Sequence, residues 1–174
     1  PLADVIPMEP PRAASRAALG LGDRETVVAL LPGSRKSEIR YIAAPLIGAA
    51  LIMQRQRPEL RFIMPVAPGL RALIEPLLRR HGQGLNIELL DGRSHEALAA
   101  CDITLVASGT ATLEAALFKR PMVIAYKMHW LNWRRIRAKR LQPWVGLPNV
   151  LAEDFVVPEL LQDAATPDAL AQAV

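Results

Sequence analysis

Glu25-Thr26-Val27-Val28-Ala29-Leu30-Leu31-Pro32-Gly33-Ser34-Arg35-Lys36-Ser37-Glu38 passes from an unbroken apolar, β-branched run, through a proline and a glycine, into a polar segment that opens a helix. A strand that reads as a continuous apolar run is covered on both faces, the condition of a strand inside a parallel sheet. The same alternation repeats outward from this stretch. After Thr26–Leu31 come the runs Arg61–Val66, Ile87–Leu90, Ile103–Ala107 and Met122–Tyr126. Helical patterns fill the intervals over Glu38–Arg55, Leu70–Arg80, His95–Cys101 and Thr110–Phe118. Strand, helix and strand repeating with short turns predicts an α/β fold, a doubly wound parallel sheet.

The flanks divide the chain further. Pro10-Pro11 and Gly20-Leu21-Gly22 bracket a short helix, Arg12–Leu19, so residues 1–24 read as an interdomain linker with a leading helix. Residues 25–150 form the α/β domain. Beyond Tyr126 the pattern becomes a basic helix, then Gly146-Leu147-Pro148-Asn149. Residues 151–174 read as C-terminal helices, the last opening at Thr166-Pro167-Asp168 with Thr166 as N-cap and Pro167 at the first helical position. The chain opens without an initiator methionine and its last helix is short, so it reads as a fragment or a processed chain.

Composition excludes several classes. With 174 residues, 51% apolar and 22% charged, the chain is globular and long enough to bury a core without staples. One cysteine, Cys101, excludes a disulfide framework or a cysteine zinc site within one chain. The longest apolar run, Tyr41–Met53, holds Pro45 and Gly48 and is too short to cross a bilayer. The net charge of +4 is unevenly placed. No acid lies between Glu114 and Glu153, an interval holding Lys119, Arg120, Lys127, Arg134, Arg135, Arg137, Lys139 and Arg140 together with Trp130, Trp133 and Trp144. Such a field suits a phosphorylated ligand, an anionic membrane or a nucleic acid. Tryptophan beside arginine suits a membrane interface, while a solvated basic helix with its Trp in the core remains the plainer alternative.

In an open parallel sheet ligands bind beyond the carboxyl ends of the strands. At Leu31–Glu38 a helix start offers backbone N–H groups to an anion, with the Ser34 hydroxyl and the Arg35 fork beside them. The alternative there is a helix cap made by Ser34 with Arg35 solvated. At Ala107-Ser108-Gly109-Thr110-Ala111-Thr112-Leu113-Glu114, small residues admit a ligand to the backbone, and Ser108 and Thr110 are donors to phosphate. Glu114 shares a helix face with Thr110 and suits the two hydroxyls of a ribose; a carboxylate favoured by the helix dipole is the alternative. The turn Leu90-Asp91-Gly92-Arg93 offers amides to the edge of a base, a weak signal alone. Pro65-Val66-Ala67-Pro68-Gly69 carries no evident chemistry. His81, His95 and His129 are scattered without metal-ligand spacing, and neither a G-x-S-x-G elbow nor a G-x-G-x-x-G fingerprint is present. No D-x-D pair offers to hold a metal on a nucleotide diphosphate. Cys101 reads as buried packing.

Taken together, Leu30–Glu38, Leu90-Asp91-Gly92, Ser108–Glu114, Leu147-Pro148-Asn149 and the opening Pro1-Leu2-Ala3-Asp4 resemble the lipid-A-disaccharide synthase family in content, order and spacing. The resemblance implies the Rossmann-like C-terminal, donor-binding domain of a GT-B glycosyltransferase. It implies transfer from UDP-2,3-diacylglucosamine to 2,3-diacylglucosamine 1-phosphate, with inversion and without a metal or other cofactor. Carried onto this sequence, Ser34 and Arg35 hold the diphosphate. Ser108, Gly109 and Thr110 contact phosphate or ribose, with Glu114 on the ribose hydroxyls. Leu90, Gly92 and Arg93 face the uracil, Asn149 sits near the donor sugar, and Arg35 and Asn149 are the catalytic residues expected in this chain. The catalytic base belongs to the N-terminal domain, so the isolated chain is expected to bind nucleotide without turnover. The resemblance also implies a homodimer that exchanges C-terminal segments. Residues 127–144 are expected on the anionic inner-membrane surface, facing the cytoplasm, with no nucleic-acid partner. The rivals are another GT-B enzyme acting on a UDP-sugar, such as a UDP-N-acetylglucosamine 2-epimerase, and a basic membrane or nucleic-acid adaptor.

Overall fold

The computed structural model describes residues 5–139 and 142–174, with side chains for all of these except 136–139. Pro1-Leu2-Ala3-Asp4, Arg140 and the side chains of Arg137 and Lys139 lie outside the described residues, and so do the expectations attached to them. The strands are β1 (Val27–Leu31), β2 (Arg61–Val66), β3 (Ile87–Asp91), β4 (Ile103–Ala107), β5 (Met122–Tyr126) and β6 (Glu159–Leu161). The helices are α1 (Arg12–Ala18), α2 (Lys36–Gln56), α3 (Arg71–His81), α4 (Ser94–Ala100), α5 (Thr110–Leu117), α6 (Trp130–Lys139), α7 (Leu147–Ala152) and α8 (Pro167–Ala173).

All strand pairs are parallel and the sheet order is β3-β2-β1-β4-β5-β6. Strand alternation divides the core between the two faces. Val28, Leu30, Phe62, Met64 and Leu105 face α2, α3 and α8. Val27, Ala29, Leu31, Ile63 and Val106 face α1, α4 and α5. Helices on both faces make the sheet doubly wound, as the apolar runs require.

Helix α2 shows why local preference yields to burial. Pro45 sits inside it, at a cost of about 3 kcal/mol. Yet Ile39, Ile42, Leu46, Ala49 and Met53 fall at three- and four-residue spacing and are all buried, with Ile47 buried beside them. At about 1.5–3 kcal/mol for each large side chain, that face outweighs the proline.

The leading segment is riveted to the sheet by a buried arginine. Arg16, 1% exposed, donates to the carbonyls of Ala100, Gly22, Asp23 and Glu25 and to Asp102 Oδ2 at 2.8 Å. Asp102 also accepts from the Val27 N–H at the start of β1 and pairs with Arg12.

The C-terminal region differs from expectation. Gly146 is the N-cap of α7, which runs Leu147–Ala152 with Pro148 in its first turn. Residues 151–174 are not helices throughout. They contribute β6, which extends the sheet beside β5 with Ile124 opposite Glu159 and Tyr126 opposite Leu161. A short 3-10 turn follows, and then α8 alone, capped by Thr166, whose Oγ1 accepts from Ala169 N at 3.1 Å.

Candidate functional site

Strand order reverses between β1 and β4, because the chain fills one side of β1 before crossing to the other. Loops leaving neighbouring strands part at such a point and open a crevice at the carboxyl edge. A cavity of about 280 Å3 lies there, at the small end of ligand-pocket sizes. Four strand-end loops wall it. The β1 loop gives Gly33, Ser34 and Arg35; the β4 loop and first turns of α5 give Ser108, Gly109, Thr110 and Glu114. The β2 loop gives Pro65–Pro68, and the β3 loop gives Gly92 and Ser94.

At the β1 loop, Arg35 occupies the N-cap position of α2 and its side chain is 79% exposed, so the guanidinium stands in reach of a ligand. Ser34 does not cap the helix. Glu38 does: its Oε2 accepts from Ser34 N at 2.8 Å and from Arg35 N at 3.2 Å, while Oε1 lies 3.4 Å from Arg35 Nη1. This is capping-box spacing with an arginine at the cap. The amides expected to meet a phosphate therefore already hold a carboxylate. Gly33 is obligatory here, since its φ is +103° and a Cβ would run into the Glu38 carboxylate.

At the β4 loop, Gly109 is extended and a Cβ on it would meet nothing within 4 Å, so its backbone lies open to the crevice. Thr112 closes the turn by donating from Oγ1 to Gly109 O at 2.7 Å. Ser108 Oγ donates to Val145 O at 3.3 Å, tying the lip of the crevice to the segment before α7. Glu114, one helical turn beyond Thr110, points into the cavity. Its Oε2 lies 3.7 Å from His95 Nε2, and the His95 ring rests 5.4 Å from Phe118. Donors to an anion thus stand on two loops, with an acceptor for hydroxyls, Glu114, one turn into α5 beside the second.

Three expected residues are not brought to the crevice. Leu90 is buried in the core at 3% exposure. Arg93 turns outward in left-handed backbone (φ 52°) and binds Glu96 and the carbonyl of Ala18. Its pKa is raised by the Glu96 hydrogen bond. Of that turn only Gly92 reaches the cavity, and its N–H is spent on Val66 O at 2.8 Å. Asn149 is fully buried, and its amide serves its own chain. Nδ2 donates to Val157 O and Glu159 Oε1, and Oδ1 accepts from Val156 N and Val157 N, all at 2.8–2.9 Å. Glu159 in turn accepts from Val145 N and Gly146 N. Asn149 thus clamps α7 to the segment leading into β6, for a physical reason invisible in Leu147-Pro148-Asn149.

The sequence reading gave no role to Glu38 or to Pro65–Pro68, which wall the crevice, or to His95, which stands beside Glu114. Glu38 was signalled by its distance of three from Arg35. The Pro65–Pro68 wall was signalled only by its place at the end of the strand beside β1. His95 needed the packing of α4 against α5.

Residues 1–174, the whole chain, match the family described as lipid-A-disaccharide synthetase. The chain belongs to the lipid-A-disaccharide synthase family. The lipid-A-disaccharide synthase of Albidiferax ferrireducens is 62% identical over all of this chain and 45% of its own length. That of Verminephrobacter eiseniae is 57% identical over 99% of this chain and 44% of its own. The chain therefore spans under half the length of these synthase relatives. Among solved structures, the C-terminal domain of a group 1 glycosyl transferase from Francisella tularensis superposes with a TM-score of 0.63 at 12% identity, over 98% of this chain and 83% of that one. A UDP-GlcNAc 2-epimerase from Neisseria meningitidis, bound to UDP-GlcNAc, superposes at 0.62 and 14% identity, over 92% of this chain and 39% of its own. These likenesses give this synthase segment the fold of a GT-B C-terminal domain.

Proposed function

We propose that this chain is the donor-binding half of an inverting glycosyltransferase that joins UDP-2,3-diacylglucosamine to 2,3-diacylglucosamine 1-phosphate, giving the disaccharide precursor of lipid A. The observation that carries the reading is the gathering of Ser34, Arg35, Ser108, Gly109, Thr110 and Glu114 around one crevice at the β1–β4 reversal, in a chain of this family. Ser34, Arg35 and the opening of α2 receive the diphosphate. Thr110 and the exposed backbone of Gly109 meet it from the other side. Glu114 accepts from the ribose hydroxyls.

As the bond from the anomeric carbon to the leaving oxygen breaks, negative charge grows on the β-phosphate. The Arg35 guanidinium and the α2 dipole meet that charge once Glu38 has given up the Ser34 and Arg35 amides, and on this reading the leaving group needs no metal or other cofactor. The acceptor hydroxyl attacks the opposite face and must lose its proton to a base within hydrogen-bond reach. On this reading that base comes from the N-terminal domain of the full-length enzyme, so the 174-residue segment by itself is expected to bind nucleotide and make no disaccharide. On this reading the reaction runs at the cytoplasmic face of the inner membrane. Exposed Trp130 and Leu131, with the Arg134 guanidinium 5.9 Å above the Trp130 ring, support contact with an anionic leaflet.

Titrating UDP into the chain by calorimetry tests the reading. Arg35→Ala and Glu114→Ala are each expected to weaken UDP at least about tenfold, the effect of removing a charged hydrogen-bond partner. Saturable UDP binding that ignores both substitutions, or no UDP binding by the unmodified chain, refutes it.

A further inference from the structure

A second cavity, of about 750 Å3, lies beside the first, between the opening of α2 and the segment that follows β5. The two cavities share Arg35, Glu38 and Ser108 as walls. The second is lined by Lys36 and Arg40 from α2 and by Lys127 from the end of β5, with Tyr41, His129 and Asn132 around them.

The charge balance of this groove is one-sided. Among the described residues its walls carry four cations, Arg35, Lys36, Arg40 and Lys127, and one carboxylate, Glu38. That carboxylate is committed to the amides of Ser34 and Arg35 at the border with the first cavity. Among the described residues, none of Lys36, Arg40 and Lys127 forms an ion pair; the Arg40 guanidinium lies 6.0 Å from the Tyr41 ring centroid. Lys127 is half-buried. Gathering several cations in a concave wall, one of them partly desolvated, is unfavourable until an anion enters. The tyrosine, histidine and asparagine add hydrogen-bonding groups that a flat electrostatic patch does not need.

The first cavity already offers its own set of donors to a diphosphate, so this groove is provided for a different anion. We propose that it receives the phosphomonoester of the acceptor sugar, a group with a charge between −1 and −2 at neutral pH. This rests on the reading of the first cavity as the UDP-sugar site. The groove then sets the acceptor's orientation: holding the anomeric phosphate of the acceptor at Lys36, Arg40 and Lys127 directs the rest of that sugar toward the shared wall at Arg35 and Ser108, where the donor's reacting carbon lies. The same cations are suited to the phosphodiester headgroup of a membrane lipid, and the test separates the two sources.

The chain is saturated with UDP and titrated with glucosamine 1-phosphate or with glucosamine. It is then mixed with phosphatidylglycerol vesicles in a separate arm. The variant carries Arg40→Gln and Lys127→Gln, and circular dichroism and melting verify its fold. Glucosamine 1-phosphate is expected to bind the unmodified chain, glucosamine to bind far more weakly, and the variant to lose at least about tenfold in affinity for the phosphate with UDP affinity within twofold. Single substitutions replace the double variant if it fails to fold, and each is expected to lose part of the same affinity. No binding of glucosamine 1-phosphate, or equal binding by the variants, overturns the proposal. Loss of vesicle binding with sugar-phosphate affinity intact assigns the groove to lipid headgroups and also overturns it. A parallel fall in UDP affinity makes the groove part of the first site and overturns it as a separate one. Absence of UDP binding in the unmodified chain is a different failure, that of the donor-site reading itself.

Discussion

Glu38 and Arg35 form the smallest unit on which the crevice depends. The carboxylate fixes the β1 loop by accepting two amides, yet it puts a negative charge where a diphosphate is proposed to lie. Glu38→Gln keeps an oxygen for one amide and removes the charge. Near a solvent-exposed surface one charge at contact distance amounts to about 1 kcal/mol or somewhat more. UDP is therefore expected to bind the Gln variant several-fold more tightly, measured by calorimetry at low salt; equal or weaker binding shows that the carboxylate acts only as a cap. Arg35→Lys is expected to recover little of the affinity lost in Arg35→Ala, because an ammonium lacks the planar fork. Gly33, Ser34 and Arg35 were legible in the sequence as strand, turn and helix start. The occupant of the amides was not, since a capping partner three residues into the helix is only one of several ways to satisfy those groups. At Cys101 burial pushes the thiol up to about 12, in keeping with its reading as packing.

At the scale of elements, α7 and β6 hold one another through Asn149 and Glu159. Asn149→Ala leaves the Val156 and Val157 amides and part of the Glu159 carboxylate without partners, and is expected to cost about 3 kcal/mol, read as a lower midpoint in urea unfolding. β1 to β5 were legible because four of them are nearly continuous apolar runs covered on both faces. β6 was not. It has three residues, all half-buried, begins with a glutamate after Pro158, and pairs on one side only, so nothing local distinguishes it from a loop. Helix α6 divides its tryptophans: Trp133 is half-buried with its ring 6.1 Å from Tyr126, while Trp130 is exposed. Arg134→Gln with Arg135→Gln is expected to weaken binding to anionic vesicles several-fold in a sedimentation assay. Neutral vesicles serve as the control, and unchanged binding removes α6 from the membrane contact.

For the molecule as a whole, stability in acid hangs on how the leading helix is attached. Burial alone raises the Asp102 carboxyl, but the Val27 amide and the Arg12 and Arg16 guanidiniums outweigh it and leave its pKa below the ordinary 3.8. A carboxylate depressed in the folded state contributes stability above its unfolded pKa and loses it as pH falls through the folded value. The melting temperature is thus expected to fall below about pH 4, and Asp102→Asn to lower it at pH 7 while flattening that acid limb. Arg16 carries this attachment inward, and no periodicity in Arg12–Leu19 announces a buried guanidinium, which explains why the segment read as a linker. The strand-end rule did find the crevice, because topology and not any one side chain decides where parallel-sheet loops part. What the rule left out was the resident acid of α2. On the proposed function, a nucleotide arriving there takes a seat that is already filled, so its measured affinity would be the difference between two occupants. Run in reverse, the same swap would help expel the spent nucleotide after transfer, because Glu38 would return to the amides as it leaves.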